Sequence, residues 1–516
     1  MKTLVSSLCL LAIACGPPAP LDGSSDAQDG HASDVGLSDA ATDIGSSRDA
    51  QMADAGLRDA ASPDRGRPEA GRVDAGRREA GGLDATPPDA GQVDAGVGDA
   101  GVLDTGRPDA GPADLGPTFG CGAYPNNCRD REQWFPGLRE HHMRDTQGCS
   151  FGLVPPTAQA WTEGRVRAHN LATRLGGAVP LTRVLGDLNR QGRSSITNRN
   201  ATRLRNHQWQ GWIWNSGDNE VSYWYPQGIT GSSDARDGGL VFGRRLQVVS
   251  WYHKTNARPT KGVRVSLADL TNLRDVDYRH LLLVVPYGDD DQVNYRPLHK
   301  SLTNTDALHA GGIVWYGDYL YVADTANGFR VFDMSLIARV SNTNDTGSFG
   351  RDGDISHAFG YRYIVPQVAR YDAPEAACDF SFSFVSLDRS SDPPALITGE
   401  YKANSIQGRV VSYGLDAQTH RLEVRRGEIR GQDAKMGAQT KMQGAARWQN
   451  NYYLSSSSQA ATYGRLYRTR SGRESSISAW VYGAEDLYYE RTTGVIWTAA
   501  EYPSYRDVVG IPLLEP

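Results

Sequence analysis

No tyrosine, tryptophan or phenylalanine occurs before Phe119, although the chain holds 24 Tyr, 11 Trp and 11 Phe. A stretch that long without aromatics, built mainly of Asp, Ala, Gly, Pro and Arg, cannot bury enough apolar surface to offset its conformational entropy. A packed core is therefore excluded there and expected after it. Charge of one sign is also missing: 54 Lys and Arg stand against 60 Asp and Glu, a net charge of −6. That balance argues against nucleic acid as a partner. No His-Glu-x-x-His, phosphate-cradling loop or dinucleotide fingerprint is present, and neither Ser455 to Ser458 nor Ser232-Ser233 lies in a Gly-x-Ser-x-Gly elbow. These absences set aside zinc proteases, nucleotide-dependent enzymes and elbow-type serine hydrolases.

Cysteine is sparse, and its placement is informative. Of six, Cys9 and Cys15 fall at the N-terminus, where Lys2 precedes an apolar run from Leu4 to Ala14. Such a run is too short to span a membrane as an ordinary helix and reads as an export signal. Ala12-Ile13-Ala14-Cys15 resembles a bacterial lipobox, with Ala12 where Leu is more usual. The resemblance implies lipidation at Cys15, residues 1–14 as the signal peptide, and membrane attachment, with an outer-membrane or cell-surface address favoured. Several acyl chains on one Cys would hold far better than one. The exported part keeps Cys121, Cys128, Cys149 and Cys378, an even number in a disulfide-permitting compartment. The expected pairs are Cys121 with Cys128 and Cys149 with Cys378; a zinc site is the alternative, without a paired Cys-x-x-Cys to support it.

Residues 15–118 repeat Asp-Ala-Gly at Asp54, Asp74, Asp89, Asp94, Asp99 and Asp109 and read as a disordered tether. As a Gly-rich coil its span is on the order of 55 Å. In composition it resembles the stalks of surface lipoproteins in some predatory and soil-living bacteria. Residues 119–223 read as a small Cys-containing, partly helical cap. Helices are predicted from Thr162 to Leu175 and from Leu181 to Gln191, the second opened by Pro180 and carrying Leu181, Val184, Leu185 and Leu188 at helical spacing. The aromatic run Trp209 to Tyr225 is expected to supply an outer strand to the last unit of the β-rich region C-terminal to it.

From residue 224 to 516 the chain is all-β and repeats. Four openings place a polar or small residue beside Gly or Asp, Pro226-Gln227-Gly228-Ile229, His309-Ala310-Gly311-Gly312-Ile313, Met442-Gln443-Gly444-Ala445 and Ala484-Glu485-Asp486-Leu487, and a fifth, Phe380-Ser381-Phe382-Ser383-Phe384, is only loosely like them. Strand runs bounded by Gly, Asn, Asp or Pro succeed each one. The pattern predicts a β-propeller whose first strands surround one channel. Five blades fit best; six result if Trp209 to Tyr225 builds its own, and a β-sandwich is the competing fold. The third blade is expected to end with a strand from Leu422 to Ile429.

Trp224 to Ile229, His309 to Ile313 with Tyr321 to Thr325, and Met442 to Ala445 resemble wording shared by exported bacterial β-propeller proteins of unassigned function. That resemblance implies the fold and export and brings no catalytic residues. More coarsely, the openings are similar to those of propeller lactonases and phosphoesterases, which implies channel residues able to hold calcium.

The openings direct Gln227, His309, Gln443, Glu485 and Asp486 to one funnel. Carboxylates and amide oxygens suit calcium, and His309 can serve as a base. The bland counterpart is a polar lining that hydrogen-bonds across a wet channel. The Asp289-Asp290-Asp291 and Asn342 to Asp354 segments lack calcium-loop spacing and read as solvated turns, with His357 beside the second. Trp214, Trp224, Trp251, Trp315 and Tyr316 either stack on sugars or pack between sheets. The expected function is a surface-tethered monomer that binds an extracellular glycan, protein or small molecule. Its rivals are a calcium-dependent hydrolase of lactones, esters or phosphoesters, with Glu485, Asp486, Gln227 and Gln443 as ligands, and a scaffold without a site. Fold alone does not choose among them.

Overall fold

The computed structural model describes residues 137–146, 151–374, 380–457 and 463–513. The signal, Cys15, the tether and the four cysteines Cys121, Cys128, Cys149 and Cys378 lie outside those residues, and so does the pairing expected among them.

The chain is a five-bladed β-propeller. Blade one comprises Trp224–Gly231, Leu246–His253, Val263–Asp269 and Asp277–Tyr287; blade two comprises Ile313–Tyr316, Tyr319–Asp324, Gly328–Asp333 and Tyr363–Asp372. Their outermost strands pair in parallel, Ile364 opposite Leu282, so these two blades share one continuous sheet. Phe384–Asp388, Ala395–Gly399, Arg409–Gly414 and Asp433–Met436 form blade three, to which Arg144–Thr146 adds a fifth strand. Blade four is Met442–Trp448, Asn451–Ser456, Arg465–Thr469 and Ser476–Ala479. Blade five has only three strands from the end of the chain, Tyr488–Glu490, Val495–Ala499 and Asp507–Pro512. Its fourth is Gln210–Ile213, which pairs Ile213 with Asp507 and closes the ring from the other end of the sequence. The aromatic run before Tyr225 thus completes a fifth blade instead of making a sixth.

The core is divided among the blade interfaces. Leu246, Val265, Leu281, Trp315 and Phe332 pack between blades one and two; Tyr321, Phe329, Val385 and Tyr413 pack between two and three. Trp212, Trp214, Trp251 and Trp497 fill the seam between five and one, Trp214 meeting Trp251 edge-on at 4.8 Å. Trp224 and Tyr316 are buried as well, so the five aromatics weighed for sugar stacking pack between sheets. Each fully buried side chain of this size stabilises the fold by about 1.5–3 kcal/mol, so every seam is a strong joint.

Two predicted elements end elsewhere. The second helix covers only Leu181–Leu185 because Gly186 stops it and Asp187 is gripped by Arg362 at 3.0 Å and Tyr363 at 2.8 Å. Blade three's outer strand is Asp433–Met436, since residues 415–429 fold into local bridges, Leu415 with Leu422 and Arg425 with Glu428. The first helix, Ala158–Arg174, is capped by Thr157, whose hydroxyl accepts from Ala160 N at 3.0 Å. It lays Trp161, Ala168, Leu171 and Ala172 inward. The acidic turn Asp289 to Asp291 answers it with ion pairs to Arg167 and Arg174.

Candidate functional site at the channel mouth

Every innermost strand starts at the same end of the ring, and two of them start on a β-bulge. The register slips by one residue between Pro226 and Ile229 and again between Met442 and Gly444. A bulge re-aims the side chain that it carries, and here the carried residues are Gln227 and Gln443. Glycine comes after each because the blades nearly touch: a Cβ on Gly228 would lie 2.6 Å from Ile313 N, and one on Gly444 2.8 Å from Asp486 Cα. The polar openings are therefore forced together by the packing of their neighbours.

The result is a hydrogen-bonded relay. His309 Nε2–H donates to Gln227 Oε1 at 2.6 Å, which assigns the lone pair to Nδ1. Gln227 Nε2 donates to Pro226 O at 2.9 Å and to Glu501 Oε2 at 3.2 Å. Glu501 is hydrogen-bonded to Glu485, and Gln443 Nε2 donates to Glu485 Oε1 at 3.1 Å. Burial, then the neighbouring Glu501 and Asp486, hold the Glu485 carboxyl well above the usual carboxylate range. Burial raises Glu501 too, against the pull of Lys254. Two touching carboxyls cannot both ionise, so the pair retains a proton. His309 is wetted by solvent but ringed by protein; that crowding, with Lys254 and Lys300, pushes it down to about 4 and keeps it neutral.

Tyrosines wall the relay. Tyr252 stacks on His309 at 4.6 Å with 20° between planes, and Tyr225 lies 5.7 Å from Tyr252. Across the mouth Tyr482 meets Tyr502 at 4.8 Å. Tyr225, Tyr252 and Tyr502 are all half-buried, each offering part of a ring to water. Glu400, directly after the second strand of blade three, is held ionised by Arg409 at 2.6 and 2.7 Å and by Lys402 at 3.2 Å.

Sequence reasoning named Gln227, His309, Gln443 and Glu485, and the structure brings these four into one relay. Asp486 is placed differently. It faces the interior of the ring, where its Oδ2 accepts from Ile229 N at 3.2 Å and Ile313 N at 3.4 Å, tying blade five to blades one and two. Its Oδ1 is buried without a partner, and burial raises it well above the carboxylate range. For a calcium held by Glu485, Asp486, Gln227 and Gln443, both glutamines would have to turn their oxygens inward, where they now direct amide nitrogens at carboxyls. Among the described residues no group of three His, Cys, Asp or Glu side chains is spaced to hold a metal. Glu501 and the tyrosines lay beyond the sequence reading, because Glu501 comes after the second strand of blade five and not at its opening.

His357 pairs with Asp345 at 3.2 Å in a side hairpin beside Tyr295, away from this mouth. A second relay was also invisible in sequence. Ser266 Oγ lies 2.8 Å from His280 Nδ1, and His280 Nε2 lies 3.0 Å from Asp218 Oδ1, slightly off the hydrogen-bond line. It has the order of a nucleophile triad, but all three are buried and Trp251 Nε1 donates to the serine at 2.8 Å. No acyl group can reach it. Asp218 instead gathers Arg190, Arg264 and Tyr278 at 3.1, 3.0 and 2.7 Å and anchors the segment before blade one.

No protein-family model and no curated protein sequence matches the chain. Among solved structures, the chain is similar to a GH43_1 enzyme from Xanthomonas citri (10% identity, TM-score 0.31, 62% of this chain and 94% of that one) and to the β-xylosidase RS223 (7% identity, TM-score 0.29, 57% and 93%). Hydrazine synthase from Kuenenia stuttgartiensis is a third, at 10% identity and TM-score 0.26 over 55% and 75%. Such scores transfer no residue roles; the propeller assignment stands on the strand pairing above.

Proposed function

We propose that the channel mouth binds a hydroxyl-rich small ligand, an extracellular glycan being the class that its chemistry favours, and that lipidated Cys15 and the tether display it at the cell surface. The carrying observation is the relay from His309 through Gln227, Glu501 and Glu485 to Gln443, bordered by half-exposed tyrosines. Sugar rings pack their C–H faces on aromatic rings, and their hydroxyls need mixed donors and acceptors. His309 Nδ1, beside Tyr252, and the amide oxygen of Gln443, on Glu485, offer acceptors. The expected test outcome is a saturable isotherm for one or more oligosaccharides on the full chain, weakened at least about tenfold, or about 1.4 kcal/mol, by Tyr252→Ala and by Gln443→Ala. Indifference of every isotherm to both substitutions would remove the site.

Binding is favoured over glycosidic hydrolysis by one feature. Carboxyls that flank a scissile glycosidic bond stand about 5 Å or more apart, whereas Glu485 and Glu501 are hydrogen-bonded to each other. The hydrolase reading draws on the same pair, whose retained proton is what an acid catalyst requires. Stoichiometric calcium in the purified chain, lost in Glu485→Ala, would favour that reading and its lactone, ester or phosphoester substrates.

A further inference from the structure

A second recess lies beside the shared sheet of blades one and two, and its charge is unlike that of the chain as a whole. Four cations line its volume of about 370 Å³: Arg296, Lys300, Arg330 and Arg370, with His299 and Asn327 between them and no carboxylate in the lining. The strand register makes this crowding explicit. Arg330 stands directly opposite Arg370 in the antiparallel pair of Gly328–Asp333 and Tyr363–Asp372. Like charges so placed repel and destabilise a sheet.

Nearby acids answer the cations only in part. Asp324 takes Arg330 Nε at 2.7 Å from inside the blade, Asp372 takes Arg370 by both Nε, at 2.6 Å, and Nη2, which leaves Nη1 of that guanidinium, and Asp306 lies 3.5 Å from Lys300. Arg296 has no carboxylate within ion-pair distance among the described residues; its guanidinium rests 5.8 Å from the Tyr287 ring. Arg330 is fixed by Asp324, and its Nη2 also reaches the carbonyl of Lys300 at 3.3 Å, which ties the loop carrying Lys300 to the recess floor. The donors are thus partly preorganised around an unmatched positive charge.

We propose that this recess is a binding site for an oxyanion carried on a monosaccharide-sized body: a carboxylate, sulfate or phosphate group held by Arg296, Arg370 and Lys300. Guanidinium groups meet such anions with paired hydrogen bonds. The volume exceeds what a bare inorganic anion fills and falls at the small end of organic ligand sites. The recess neighbours the relay, since Lys300 also acts on His309, but it shares no lining residue with it and does not depend on the reading given to it.

The test is calorimetric titration of the full chain with glucuronate, glucose 6-sulfate, glucose 6-phosphate, inorganic sulfate and inorganic phosphate at low ionic strength. At least one sugar-borne anion is expected to bind with one-to-one stoichiometry and more tightly than the inorganic ions; Arg370→Gln and Lys300→Ala, both at exposed positions, are each expected to weaken it about tenfold. Gln443→Ala is expected to leave this isotherm unchanged. The three sugar acids distinguish which oxyanion is preferred. Absence of binding by all of them, or binding untouched by both substitutions, overturns the proposal.

Discussion

Replacing Asp486 with alanine removes a side chain that ties the innermost strands of blades one and two to the opening of blade five. Its Oδ2 accepts from two buried backbone N–H groups, Ile229 at 3.2 Å and Ile313 at 3.4 Å. A buried donor left without a partner costs about 1–3 kcal/mol. Because the second bond is long, the expected loss is about 2–4 kcal/mol in total, read as a lower urea midpoint at unchanged slope. Asp486→Asn separates the charge from the hydrogen bonds. Burial raises the Asp486 carboxyl well above its ordinary range, so it is expected to be protonated and asparagine to be a close mimic, within about 1 kcal/mol of the parent. A folded-state value above the unfolded one means that the stability contribution is present at low pH and fades as pH rises through the folded value. The Asn variant should therefore compare best with the parent at high pH. An alanine variant as stable as the parent, or an asparagine variant as damaged as alanine, would refute this reasoning.

Asp218→Ala is expected to lose about 3–5 kcal/mol, because it leaves the buried Arg264 guanidinium without its carboxylate; a loss under about 1 kcal/mol in urea unfolding would show that the network does not anchor blade one. Burial raises Asp234 to about 7, so its ionisation penalises the fold increasingly from the ordinary carboxylate range up to about pH 7. Asp234→Asn, which can still accept from Thr230 Oγ1, should gain stability relative to the parent at pH 8 compared with pH 4; a difference independent of pH would contradict this.

The propeller was legible because its repeats carry their own geometry. Glycines at Gly228 and Gly444 mark places where neighbouring blades touch backbone to backbone, and the polar residue before each, Gln227 buried and Gln443 half-buried, is thereby brought into the relay. The ring closure at Gln210–Ile213 was visible as aromatic density. What escaped were contacts between residues distant in sequence that no local pattern encodes. Glu501 joins the relay only because the second strand of blade five returns to the mouth. Asp486 sits where the other four blades have Gly228, Gly312, Phe384 and Gly444, yet nothing in the sequence tells that its carboxyl turns inward to amides of blades one and two. The Arg330–Arg370 opposition likewise needs the register of two strands separated by the hairpin Phe349–Asp352 and Ile355–Ala358.

The most direct measurement is a crystal structure of the full chain with the tightest-binding oligosaccharide from the panel. The account predicts a sugar ring against Tyr252, with hydroxyls in hydrogen-bond reach of His309 Nδ1 and Gln443. A saccharide bound elsewhere, with only water at the channel mouth, would contradict it.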